Sequence, residues 1–190
     1  MKKCIMIPIG FLAAIFIGGC SAPQPMPSMA SVDLERFMGD WYVVASIPTF
    51  LERNAYNPIE SYRLDTDGSI ATTFSFNEGG FDGEKRTFHP RGYVRDAQSN
   101  AVWGMQFIWP IKADYRIVFV DERYEYTLVG REKRDYVWIM ARHPNVDESV
   151  LNVLMDRAVA VGYEKEKIVR ARHVATKRDV VEEPLEKSDK

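Results

Sequence analysis

The sequence predicts a mainly β fold, an eight-stranded antiparallel up-and-down β-barrel with one C-terminal α-helix packed outside. Runs rich in β-branched and aromatic residues follow one another along the chain, each bounded by turn residues. One apolar stripe of helical period follows the last run. Short strands joined by tight turns are typical of a meander closed into a barrel, whose interior is filled by side chains or holds one small ligand.

Composition supports one domain with a substantial core. The chain has 190 residues, of which 46% are hydrophobic and 12% aromatic. The formal net charge of -2 gives no indication of a nucleic-acid partner.

The N-terminus predicts export and lipid attachment. Residues 1–19 combine a basic start with an apolar run that is short for a membrane span, which indicates a signal peptide. The sequence Ile-Gly-Gly-Cys ending at Cys20 resembles a bacterial lipoprotein signal, in which the cysteine is acylated by fatty acids such as palmitate. Ser21 resembles the outer-membrane sorting pattern. An ordinary secretory signal with a chance cysteine is the alternative.

Residues 20–32 predict a lipidated cysteine followed by a Pro-rich extended linker. Its last twelve residues reach up to about 40 Å, so we expect the domain to stand off the membrane.

The eight predicted strands are bounded by turn residues, with Pro90 interrupting the fourth. They cover 41–47, 59–64, 69–76, 84–95, 101–109, 115–120, 124–129 and 136–141. One face of the third strand and one face of the fifth are expected to point inward. These faces carry Ile70, Thr72, Phe74 and Phe76, and Trp103, Met105, Phe107 and Trp109.

A helix is predicted after the last barrel strand. Asn145 with Glu148 forms a capping-box start, and Gly162 is a suitable terminator. A short strand at 168–173 completes the expected domain, which spans 33–173, and a charged, disordered tail is expected at 174–190.

Alternating strand direction assigns the two barrel ends. The start of the first strand and the end of the eighth lie at one end, the base, which places Trp41 beside Arg142. A guanidinium over an indole face contributes roughly 0.5–2 kcal/mol. The longest connections lie at the opposite end, the predicted mouth, including a loop at 110–113. The linker joins the barrel at the base, so we expect the plugged end to be the one nearest the lipid anchor along the chain.

Three short motifs in order resemble the lipocalin family, and most closely the bacterial outer-membrane lipoprotein lipocalins, relatives of apolipoprotein D. The first motif contains Gly39 and Trp41, the second contains Asp114 and Tyr115 with alanine in place of the usual threonine, and the third is Arg142. The resemblance implies that these residues are structural. It also implies a membrane-anchored carrier that binds and stores or transports a fatty acid or lysophospholipid in cell-envelope maintenance.

The predicted ligand-binding residues are large and apolar and lie on barrel strands, where they would suit an acyl chain. They are Phe74, Phe76, Met105, Phe107, Trp109, Tyr115, Ile117 and Trp138. Plain core packing is the alternative for any one of them.

No catalytic, metal or cofactor motif is expected. The three histidines are scattered, and the glycines at 79, 80 and 83 precede a strand rather than a helix. Two other functions stay open: a tethered envelope scaffold that binds a protein through the outside of a filled barrel, and a lipid-modifying enzyme. A homodimer is a further alternative because two strands are apolar on both faces.

Overall fold

The computed structural model describes residues 24–174. The predicted signal peptide, Cys20 and all of the predicted tail except Val174 lie outside the described residues. Val174 itself donates its backbone N–H to Asn57 Oδ1 at 2.9 Å.

Ten strands and two α-helices make up the described chain. The helices are α1 (Leu34–Phe37) and α2 (Glu148–Ala160), and a 3₁₀ turn covers Lys165–Lys167. The strands are β1 (Gly39–Ile47), β2 (Ala55–Leu64), β3 (Ile70–Glu78), β4 (Lys85–Phe88), β5 (Arg91–Val94), β6 (Val102–Ile108), β7 (Ile111–Val120), β8 (Tyr126–Gly130), β9 (Val137–Ala141) and β10 (Val169–Arg170).

The strands close into an antiparallel barrel. From β1 to β3 and from β5 to β9, each strand pairs with the next one in the chain. The last of these, β9, returns to pair with β1, from Tyr42 opposite Ala141 to Ile47 opposite Val137. Both β4 and β5 pair with β3, so they share one barrel position that is broken at His89 and Pro90. The predicted eight-stranded up-and-down barrel is therefore confirmed, with the interruption at the proline.

The β6–β7 hairpin differs from the prediction. A two-residue turn at Trp109 and Pro110 replaces the expected loop at 110–113, and Ile108 pairs with Ile111. The register shifts after Met105, which ends the inward alternation of β6. The prediction that this alternation continues through Phe107 and Trp109 is wrong, since the two residues are 55% and 82% exposed.

Helix α2 packs against the outside of the barrel. Its buried face joins a core with Leu128 and Ile139, and the helix contributes Leu151, Leu154, Met155 and Ala158. The predicted capping box at Asn145 is wrong, because the N-cap is Asp147 and its side chain makes no capping bond. The predicted stop is confirmed, as Gly162 adopts φ +101°, where glycine is favoured. None of the helices within residues 24–174 has the length and apolar character needed to cross a bilayer.

The segment that follows α2 closes a gap in the barrel wall between β1 and β2. The β1–β2 ladder covers only Gly39–Tyr42, and higher up β1 pairs with β10 instead. On the other side of this C-terminal strap, residues 169–173, Asn57 N donates to Arg172 O at 2.7 Å. The strap therefore lies between β1 and β2 in the upper half of the barrel.

The segment before α1 also belongs to the folded domain. Residues 24–32 lie along the outer wall, where Met26 is 3% and Val32 1% exposed. Met29 N donates to Ile117 O at 2.9 Å, in the middle of β7, and Val32 N donates to Ser99 O at 2.7 Å, at the base. The expectation of a stand-off linker through residue 32 is wrong for this part, because buried side chains and backbone hydrogen bonds hold it against the barrel.

We expect Met26→Ala to lower the free energy of unfolding by about 2 kcal/mol, because it removes a buried side chain from the packing under α2. Urea denaturation measures this change. The exposed neighbour Pro27→Ala is the control, with an expected change within about 0.5 kcal/mol. Equal stability of the two variants would contradict a docked N-terminal segment.

Candidate functional site

The base of the barrel is sealed by stacked aromatic side chains. Phe37, Trp41 and Trp103 are each 0% exposed. Trp41 Nε1 donates to Phe37 O at 2.8 Å, and the rings of Phe37 and Trp41 lie 5.1 Å apart. Helix α1 can lie across the base because the side chain of Asp33 caps it by accepting from Arg36 N at 3.2 Å.

Arg142 holds this base together from outside. Its guanidinium lies 3.8 Å above the Trp41 ring, as strand order predicts. Nη1 donates to Asp40 O at 2.7 Å, Nη2 to Met38 O at 2.9 Å and Nε to Tyr124 O at 3.1 Å. One side chain thereby joins the start of β1, the end of α1 and the β7–β8 turn.

Gly39 makes room for that guanidinium. Its φ is +94°, and a Cβ at this position would lie 3.4 Å from Arg142 Nη1. The Gly-x-Trp motif and Arg142 are therefore parts of one structural unit at the base.

A polar layer lies directly above the aromatic base. The Tyr62 hydroxyl donates to Glu60 Oε2, and the hydroxyls of Tyr62 and Tyr115 lie 2.6 Å apart. All three side chains point inward, and Glu60 is 8% exposed. The Tyr115 ring stacks on Trp103 at 5.1 Å, which fixes the layer to the base. We call this trio the polar floor.

Burial, together with the negative charge of Glu52, raises the pKa of Glu60 from its ordinary 4.5 to about 8. Burial also raises the pKa of Tyr115 well above 10, with a further contribution from Glu60. The Glu60 carboxyl of the polar floor is therefore mainly protonated, and so uncharged, at neutral pH.

Aromatic side chains form the walls above the floor. Phe74 and Phe76 are inward on β3 and form a cluster with Phe88, with ring centroids 5.4 to 6.4 Å apart. On the opposite wall, the Trp138 ring stacks against Tyr115 at 6.5 Å, and its Nε1 donates to Glu52 at 2.9 Å. We call the part of the barrel interior that these walls bound the upper lumen.

The predicted ligand-binding residues separate into three groups. Phe74, Phe76, Met105, Tyr115 and Ile117 are buried on inward strand positions, and Trp138 is half-buried. Phe107 and Trp109 lie apart from them on the exposed β6–β7 hairpin at the open end.

Sequence reasoning missed the polar floor. Glu60 and Tyr62 are two residues apart on β2, so they share a face, and the inward position of Tyr62 carries Glu60 inward as well. The two-residue spacing on one strand was the sequence feature that could have revealed the polar floor. It was outweighed by the expectation that glutamate side chains are rarely buried.

Metal chemistry has no support in the described residues. Across 24–174, no group of three or more His, Cys, Asp or Glu side chains could hold a metal ion.

A single antiparallel barrel, plugged at the base and lined by aromatic side chains above the plug, defines the class of small-ligand-binding β-barrel proteins. The Lipocalin-like domain family matches residues 32–173. The chain therefore belongs to the lipocalin family.

Named relatives agree with this assignment. Temperature-induced lipocalin-1 of Arabidopsis thaliana is 30% identical over 76% of this chain and 81% of its own length. Outer membrane lipoprotein Blc of Escherichia coli K12 is 26% identical over 83% of this chain and 90% of its own length. Among solved structures, insecticyanin of Manduca sexta has a TM-score of 0.61 at 14% identity, with 85% of this chain and 88% of that chain covered. That likeness concerns the fold alone.

Arg142→Lys is expected to lower the free energy of unfolding by about 2 kcal/mol, because an ammonium cannot reproduce the planar fork that binds five backbone carbonyls. Thermal or urea denaturation measures the change. The exposed Arg63→Lys, beside Asp65, is the matched control, with little expected change. A variant that keeps its stability but changes ligand preference would contradict a purely structural role for Arg142.

Glu60→Gln is expected to stabilise the barrel increasingly as the pH rises from about 5 to about 8. In this range the folded wild type keeps Glu60 protonated while the unfolded chain ionises it. Unfolding then releases a proton, and the free energy of unfolding falls with rising pH by about 1.4 kcal/mol per unit relative to the variant.

Denaturation of both proteins at several pH values measures this difference. The exposed Glu166→Gln controls for loss of a carboxylate. If the difference in free energy of unfolding between wild type and Glu60→Gln does not change with pH, Glu60 is ionised in the folded protein.

Proposed function

We propose that this lipocalin is a membrane-anchored carrier that binds and stores or transports a fatty acid or lysophospholipid in cell-envelope maintenance. The observation that carries the proposal is the upper lumen, where aromatic walls stand above an uncharged polar floor. Ligand sites are typically concave, mostly apolar and furnished with a few oriented polar groups. Each methylene moved from water into such a site contributes about 0.8 kcal/mol.

The acyl chain would lie along the wall residues. Phe74 and Phe76 contact it from one side, and Met105 and Trp138 contact it from the others. A charged head group would stay at the open end, because burying it beside the neutral floor would cost its hydration. Phe107 and Trp109 would then contact the ligand at the entrance rather than inside.

Lipid attachment at Cys20 is the second part of the proposal. Its support is the signal-like segment before Cys20 together with relatives that are named outer membrane lipoproteins. Several acyl chains on one cysteine would make the attachment essentially permanent. We place the protein in the outer membrane, held by this anchor.

We expect purified protein to bind a fluorescent long-chain fatty acid saturably, and Phe76→Ala to raise the Kd about tenfold because it removes a wall of the upper lumen. Fluorescence titration measures both values. Val153→Ala is the control, since Val153 is 55% exposed on α2.

The co-purifying lipids identify the natural ligand when extracts are analysed by mass spectrometry. Absence of saturable binding for both fatty acids and lysophospholipids would contradict the carrier. It would favour the tethered scaffold, whose barrel is filled and whose outer surface binds a protein. Turnover of a bound lysophospholipid would instead indicate an enzyme.

A further inference from the structure

Exposed large apolar side chains gather at the open end of the barrel. Within residues 24–174, every exposed Phe, Trp and Ile lies on one of three connections there. Their exposures are 74% for Phe50, 43% for Phe81, 55% for Phe107, 72% for Ile108, 82% for Trp109 and 69% for Ile111. Soluble monomers rarely expose so many large apolar side chains in one region, and such patches mark interaction sites.

The β6–β7 hairpin is the most prominent of these connections. Residues 107–111 read Phe-Ile-Trp-Pro-Ile, without a single polar side chain. On the β5 side, pairing with β6 ends at Gln106, so the tip extends past its neighbour. A tryptophan on such a tip suits the boundary between head groups and acyl chains, where its ring is enriched.

The first described residues of the N-terminal segment lie at this same open end of the barrel. Arg134 Nη2 in the β8–β9 connection donates to Gln24 O at 2.8 Å, and Met26 N donates to Glu132 Oε1 at 3.2 Å. Cys20 precedes Gln24 by four residues, which span at most about 14 Å when fully extended. The proposed anchor is therefore tethered close to the mouth.

This geometry determines which end of the barrel lies near the proposed anchor. Residues 24–32 run from the mouth to the base along the wall, and up to about 26 Å of extended chain is used on the way. For the plugged base to face the membrane, the buried Met26 would have to leave its site. In space the mouth is therefore the end nearest the proposed anchor, although the strands still begin at the base.

We propose that the open end of the barrel docks on the bilayer, with the apolar tips of the β1–β2, β3–β4 and β6–β7 connections inserted among the lipids. The orientation rests on the lipid attachment proposed above, whereas the tips are a property of the fold. The connections are spread around the rim, so a deformable lipid surface contacts all of them at once. A ligand then passes between the lumen and the bilayer without crossing water.

Depth-dependent quenching of Trp109 tests the docking. The full-length protein is reconstituted into phosphatidylethanolamine and phosphatidylglycerol vesicles that carry brominated acyl chains. We expect quenching and a blue shift of the emission, both largely lost in Trp109→Phe, because the other three tryptophans are buried or half-buried within the barrel. Unquenched, water-like Trp109 emission would overturn the proposal. So would emission that is shifted but unquenched, because it would show that a second copy covers the tips.

A transfer measurement separates docking from ligand binding. Ile108→Asp is expected to slow delivery of a fluorescent fatty acid from vesicles at least tenfold, with an unchanged Kd, because it adds charge to a tip outside the lumen. Val153→Asp on α2 is the matched control with unchanged transfer. Equal transfer rates for Ile108→Asp and wild type would overturn docking. Quenching that persists in a protein unable to bind fatty acid would support docking and contradict the carrier function.

Discussion

The contact of Arg142 with Trp41 is the interaction on which the barrel depends. An up-and-down barrel must join its first and last strands, and these come from opposite ends of the domain sequence. Arg142 follows β9 and hydrogen-bonds carbonyls of α1, β1 and the β7–β8 turn while it covers the indole. One guanidinium thereby fixes the strand closure and the position of the plug, because its donors point in fixed directions.

The interior changes in character from base to mouth. Tightly packed aromatic rings form the base. Above it lie Glu60 and Tyr115, both hydrogen-bonded to Tyr62, and aromatic walls follow. The buried Glu60 is compatible with an apolar ligand because a protonated carboxyl carries no charge and can share hydrogen bonds with tyrosine. The polar floor therefore closes the lower end of the lumen and limits how far a ligand could extend toward the base.

Most of the barrel could be predicted from the sequence because strand alternation and turn residues are local signals. Counting strands was enough to bring Trp41 and Arg142 together. The prediction failed where tertiary packing overrides a local pattern. A register shift turns Phe107 out of the barrel, the strand parity that buries Glu60 opposes its usual preference, and Met26 is buried despite its proline neighbours. These three positions lie at the open end, in the polar floor and in the N-terminal segment, so the regions on which the two proposals rest were the less predictable ones.

The C-terminal strap has a consequence for the order of folding. Residues 169–173 fill the seam between β1 and β2, and they are the last part of the barrel to be synthesised. Until they arrive, the upper edges of β1 and β2 have unpaired backbone groups, which are sites for wrong pairing with other chains. The upper barrel wall is thus completed only when residues 169–173 dock, so a chain that ends before residue 169 would leave the seam between β1 and β2 open.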